Sequence, residues 1–277
     1  MANPALSPKR FEQIEKEDEA GWAAPVALAH AEAAGAPPPS TRVSHMTANG
    51  AFLKTFFLFL IVVAAGAFGW SQTPDATTTI SNGVATTHID FPFWTWIALL
   101  VGFGLAMVCI FKPKASPILA PLYALAEGIF LGAISKAFES QWDGIVFQAI
   151  LATIAVFFAT LALYVFGVVK VTRKFQMVVI GATAGVFVLY VGTFILSLFG
   201  ADISFWNSPS PLGIAISVVI CVIASLNLFL DYEFISQSAK AGAPKYMEWY
   251  GAFGLMVTLV WLYIEFLRLL AKLNDRR

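Results

Sequence analysis

Seven long apolar blocks dominate the chain, at approximately 51–70, 93–111, 117–138, 145–167, 176–199, 211–235 and 246–271. At 1.5 Å of rise per residue, each is long enough to cross a hydrocarbon core about 30 Å thick. The apolar residues come in runs rather than at amphipathic spacing, as they do where every face of a helix meets lipid or protein. Charged residues make up only 12% of the chain, whereas a water-soluble domain needs about a quarter to cover its surface. The predicted fold is an all-α integral membrane protein with seven transmembrane helices. Residues 49–273 form the transmembrane domain and 274–277 a short C-terminal tail. Residues 1–48, rich in Ala and Pro ("AEAAGAPPPS") and carrying both charge signs, read as a disordered N-terminal tail.

Trp70, Trp94, Trp96, Trp142, Trp206 and Trp249 fall at or near block ends, where interfacial aromatics belong. Basic residues mark alternate loops: Lys9, Arg10, Lys16, Arg42 and Lys54, then Lys112 and Lys114, then Lys170, Arg173 and Lys174, then Lys240 and Lys245. The positive-inside rule therefore places the N-terminus in the cytoplasm. Lys272, Arg276 and Arg277 conflict with it, because seven crossings carry the C-terminus outside. Lys plus Arg equals Asp plus Glu at 17 each, so the charge balance points to no nucleic acid. Cys109 and Cys221 stand alone in separate blocks and read as packing residues. With no short apolar region and cleavage site after a basic start, the tail does not read as a signal peptide. Two GxxxG motifs, "GIFLG" at 128–132 and "GATAG" at 181–185, permit close helix contact.

A carboxylate inside a span costs several kcal/mol unless it is paired, protonated or wetted, so each is a functional candidate. Glu127 lies near the middle of the third block among the small residues Ala124, Gly128 and Gly132. It is either a buried proton or cation site or a helix–helix hydrogen bond. Asp231, in "LNLFLDYEFI", continues a stripe through Asn227, Ala224 and Ser217 that suits an interior path. The alternative is a boundary residue, which the helix dipole disfavours at a C-terminal end. Glu233 reads as a solvated interfacial charge. Glu248 opens the seventh block, where the dipole favours an acid, at a depth comparable with Asp231. Two carboxylates held close titrate as a pair and would make a proton-sensitive latch. Glu265 lies three residues from Arg268 and reads as an ion pair near the outer interface.

The seven-span layout, "EGIFLG", "LNLFLDYEFI" and "APKYMEWYGAFGLMVTLVWLYIEFLRLL" resemble the Bax inhibitor-1/YccA-like family, in a bacterial branch, over approximately residues 46–273. The resemblance implies six helices surrounding a central C-terminal helix. It also implies a cation leak, with Ca²⁺ the best-discussed ion, gated by aspartates on spans six and seven whose protonation closes the path. Asp231 matches the span-six aspartate. Thr258 stands where the second is expected, and it cannot titrate. The expected gate is therefore Asp231 with Glu248, with Glu127, Asn227, Glu265 and Thr258 as candidate ion-path residues.

The function expected is a pH-sensitive Ca²⁺ or H⁺ leak channel in a bacterial cytoplasmic membrane. The alternative is a regulatory protein that binds a membrane protease or other membrane partner, with the tail as its handle. No GxGD dyad, HExxH or Ser–His arrangement recommends an enzyme. No cofactor is expected and no metal site is assigned, Asp231 being the one position considered for Ca²⁺. The lipid bilayer is the remaining partner.

Overall fold

Local sequence signals set most of the helix ends. Thr47 accepts a hydrogen bond from the Gly50 amide (3.0 Å) and caps the first helix, α1, Ala48–Gln72. Glu139 accepts from the amides of Gly144 (2.7 Å) and Val146 (3.0 Å), so the end of one helix satisfies the start of the next. Gly144, at φ +77°, makes that turn. Thr172 caps a further helix through the Phe175 amide (3.2 Å), and Ser210 followed by Pro211 starts another.

The computed structural model describes residues 45–81, 84–88, 91–200 and 208–276. Residues 1–44 of the tail and Trp206 lie outside the described residues, while residues 45–48, read as the end of the tail, are ordered and lead into α1. After α1, β1 Thr77–Ser81 and β2 Val84–His88 pair antiparallel with Thr77 opposite His88. The remaining helices are α2 Phe93–Phe111, α3 Ser116–Glu139, α4 Ile145–Val165, α5 Arg173–Leu198, α6 Pro211–Lys240 and α7 Met247–Asn274. All seven helices are long and apolar enough to cross a membrane, so the chain is an integral multi-pass membrane protein.

Two details depart from the sequence expectation. The loop between α1 and α2 carries a small hairpin, whose β-branched strands flank an Asn-Gly step in the sequence. Helix α6 continues to Lys240, so Asp231 lies nine residues before its end rather than at a boundary. A left-handed Gly242 (φ +70°) then closes α6, with the Ala243 amide returning to the Ser238 carbonyl (3.0 Å).

The principal core gathers α1, α3, α6 and α7. Helix α7 packs along α1, α3, α4 and α6, while α2 rests on α3 and α5 on α6. The tightest seam is between α1 and α3. A Cβ on Gly132 would sit 2.0 Å from the Gly66 carbonyl oxygen, and one on Gly69 2.2 Å from that of Ile129. The "GIFLG" motif is thus a point of backbone contact. The "GATAG" motif is not: Cβ atoms on Gly181 and Gly185 would meet open space.

Candidate functional site

Between α2, α3, α6 and α7 lies a cavity of about 500 Å³. Its polar lining includes Glu127, Asn227, Asp231 and Thr258. Sequence order separates these by up to 131 positions, so only the packing of α3, α6 and α7 brings them together. Asp231 Oδ2 accepts from Thr258 Oγ1 at 2.7 Å. Thr258 thus occupies the place opposite Asp231 that the resemblance gave to a second aspartate. Asp231 Oδ1 receives no hydrogen bond among the described residues. Asn227 donates to Thr183 Oγ1 of α5 and to the Ile223 carbonyl, both at 2.8 Å.

Glu127 is 9% exposed and lines the same cavity. It has no hydrogen bond or ion pair among the described residues. Gly102 of α2 leaves it room, since a Cβ there would stand 3.1 Å from Glu127 Oε2. None of the residues lining the cavity is basic. Two carboxylates therefore share one cavity with no compensating side-chain cation, an arrangement a membrane protein keeps at a cost.

The expected pairing of Asp231 with Glu248 is not made. Glu248 is 1% exposed, and its carboxylate is occupied elsewhere. Lys54 binds Oε2, while Lys245 (2.8 Å) and the Thr47 amide and hydroxyl (2.9 Å each) bind Oε1. A Cβ on Gly50 would collide with that carboxylate, so α1 carries glycine where Glu248 docks. The acid is saturated by partners that join α1 to the start of α7. Nearby, the Met46 amide donates to the Ala243 carbonyl (2.7 Å), and His45 Nδ1 lies 2.7 Å from the Gly242 carbonyl. The chain is thereby pinned to the α6–α7 turn at the point where the tail leaves it.

Glu265 is also outside the cavity. It does meet Arg268 (3.5 Å), but it is 2% exposed rather than interfacial, and Tyr190 of α5 donates to it at 2.6 Å. The buried Lys272 donates to the Gly213 carbonyl (3.2 Å) and to Ser217 Oγ (2.8 Å). Composition alone could not separate Lys272 from the solvated charges that follow it. Its place seven residues after Glu265 and fourteen after Thr258, on one helix face, was the available signal. Glu233, expected to be solvated, accepts from Tyr164 (2.8 Å) and Gln237 (2.7 Å). Cys109 and Cys221 are buried and unbridged, in keeping with a packing role.

From the last turn of α3, Lys136 reaches back to the first loop, binding the Thr73 carbonyl (2.6 Å) and Asp75 (2.8 Å). Hydrogen bonding and attraction by Lys136 hold the Asp75 carboxyl below its ordinary 3.8. A depressed carboxylate contributes stability above its unfolded pKa and loses it only as pH falls through the folded one. That contact is therefore favoured at neutral pH and weakens as acid protonates Asp75, although its exposure to water keeps its contribution small.

Neither a curated protein nor a solved structure matches the chain. A family match does exist, over residues 3–275, so it includes most of the tail that the resemblance over 46–273 left out. That near-complete match, together with seven membrane-length helices, places the chain in the family described as Bax inhibitor 1 like.

Proposed function

We propose that the protein is a non-enzymatic, pH-sensitive leak pathway for Ca²⁺ or H⁺, with its N-terminus in the cytoplasm of a bacterial cell. The observation that carries this is the convergence of Glu127 and Asp231 on one cavity that no basic residue lines. Glu127 takes the role first given to Glu248. Ionised carboxylates supply hard oxygen ligands for Ca²⁺, with the Thr258 hydroxyl and water able to complete a shell. Protonated, the same groups are neutral and no longer attract a cation. Cation flux therefore rises with pH.

Purified protein in liposomes, loaded with a calcium or proton indicator, tests the proposal. Wild type should show flux that increases with pH. Asp231→Asn and Glu127→Gln should each reduce it by at least about tenfold, the effect of losing one strong charge contact. An absence of wild-type flux at every pH would end the proposal.

The anchoring of His45 and Met46 on the α6–α7 turn favours a second reading. There, the tail is the handle through which a membrane protease or other partner acts on α7. Deleting residues 1–44 spares those anchors and separates the two readings. A leak survives the deletion, whereas partner regulation does not.

A further inference from the structure

The cavity opens sideways. Helix α2 rests on α3, yet one of its faces (Leu99, Phe103, Met107 and Ile110) lines the same space as α6 and α7. Val257, about a third of the way along α7, is 38% exposed, and Phe103 on α2 is 61% exposed. Both line the cavity, so it opens beside Phe103 and Val257, between α2 and α7, as a portal at the depth of the hydrocarbon core. Its walls are apolar, and its polar end holds Glu127 and Asp231.

A charged ion in water does not enter a membrane protein through such an opening, because it would have to cross hydrocarbon first. A molecule already dissolved in the bilayer can. The walls suit an alkyl chain, and the two carboxylates suit a cation. Glu127 is nine-tenths buried, aimed into the cavity and without a partner among the described residues. It marks the polar end as a place for a group the chain itself does not supply. A volume of about 500 Å³ is within the range of sites for small organic ligands, which are mostly apolar with a few fixed polar groups.

We propose that this portal is a binding site for lipid-soluble primary ammonium ions. The alkyl chain lies along α2 and the ammonium donates to Asp231 and Glu127. Asp231 Oδ1 and both Glu127 oxygens are the acceptors, since Asp231 Oδ2 is held by Thr258. The inference shares the cavity with the proposed ion path but not its premise, because binding is measured without any flux.

The test is equilibrium binding of radiolabelled dodecylammonium to the full chain in phosphatidylcholine nanodiscs, with empty discs subtracted. Wild type should show one saturable site per chain. Glu127→Gln and Asp231→Asn should each weaken it by at least about tenfold, and the double variant should abolish it. Ala106→Trp, which fills the cavity from α2 without touching its charges, should also abolish binding. Gly185→Ala, on open surface, should leave it unchanged. Three results would overturn the proposal: no saturable binding to wild type, equal saturable binding of dodecanol, or full affinity in the double carboxylate variant. Should Glu127→Gln or Asp231→Asn fail to fold, Ala106→Trp and the dodecanol comparison still decide it.

Discussion

A carboxylate buried in a membrane bundle is stable only when something meets its charge, and Glu248 has Lys54, Lys245 and Thr47 to do so. Asp231 has one hydroxyl, and Glu127 has nothing among the described residues. The three acids resemble one another along the chain, but only the last two are left to act on an outside cation or proton. Removing Lys54 takes away the better-buried of the two cations on Glu248 and leaves it the half-exposed Lys245 and Thr47, at a cost of about 1–3 kcal/mol. Lys54→Met should therefore lower the thermal midpoint in detergent markedly. The double variant Lys54→Met/Glu248→Leu should recover most of that loss, because no charge is left stranded. The pH profile of flux should keep its shape in the double variant. An unchanged midpoint in Lys54→Met would remove Glu248 from a structural role and return it to the gate.

Helix by helix, the bundle distinguishes two motifs that read alike. "GIFLG" meets α1 backbone to backbone, whereas "GATAG" on α5 meets open space. Only Val179 and Val186 of α5 are buried, so that helix presents most of its surface outward. Gly132→Leu should force α1 and α3 apart and cost about 1–3 kcal/mol or more, seen as a lower midpoint and loss of a monodisperse peak. Gly185→Leu should change neither. Equal damage at both positions would mean that α5 has a protein neighbour along "GATAG". Such differences mark where the sequence stops being legible. The seven spans were plain because block length and apolarity are local properties. The α6 stripe was plain because Ser217, Ala224, Asn227 and Asp231 recur at helical spacing. That Glu127 shares a cavity with Asp231 was not, because it depends on how α3 lies against α6 and α7. The partners of Glu248 were not legible either, because its nearest lysine, Lys54, comes from 194 positions away. The hairpin had left its mark in the Asn-Gly step, outweighed by the helical blocks around it.

Across the whole molecule, α6 and α7 form one antiparallel seam that settles what to make of the basic C-terminus. Asp231 bonds Thr258, and Ser217 bonds Lys272, fourteen residues away on each helix. Midway between them the same register puts Ala224 across from Glu265, in layers about 10 Å apart. The seam therefore holds over about 21 Å of both helices, as full crossing by α7 requires. Lys272 does not count as a free interfacial charge, since it is used inside the bundle on Gly213 and Ser217. Arg268 is engaged likewise with Glu265 and lies over the Tyr190 ring. The conflict with the positive-inside rule is reduced to the last two arginines, which seven well-packed spans can override. Full crossing has a direct consequence for sidedness. Trp142, beside the α3–α4 turn, donates to Asp275 (3.1 Å), so that turn and the C-terminus share one face. In a Cys109→Ala/Cys221→Ala background, Asp143→Cys and Asp275→Cys should react with a membrane-impermeant maleimide from the same side of sealed vesicles. Lys114→Cys, in the α2–α3 connection, should react only from the other. If position 275 is labelled together with 114 rather than 143, α7 turns back within the membrane and the seam described here does not span it.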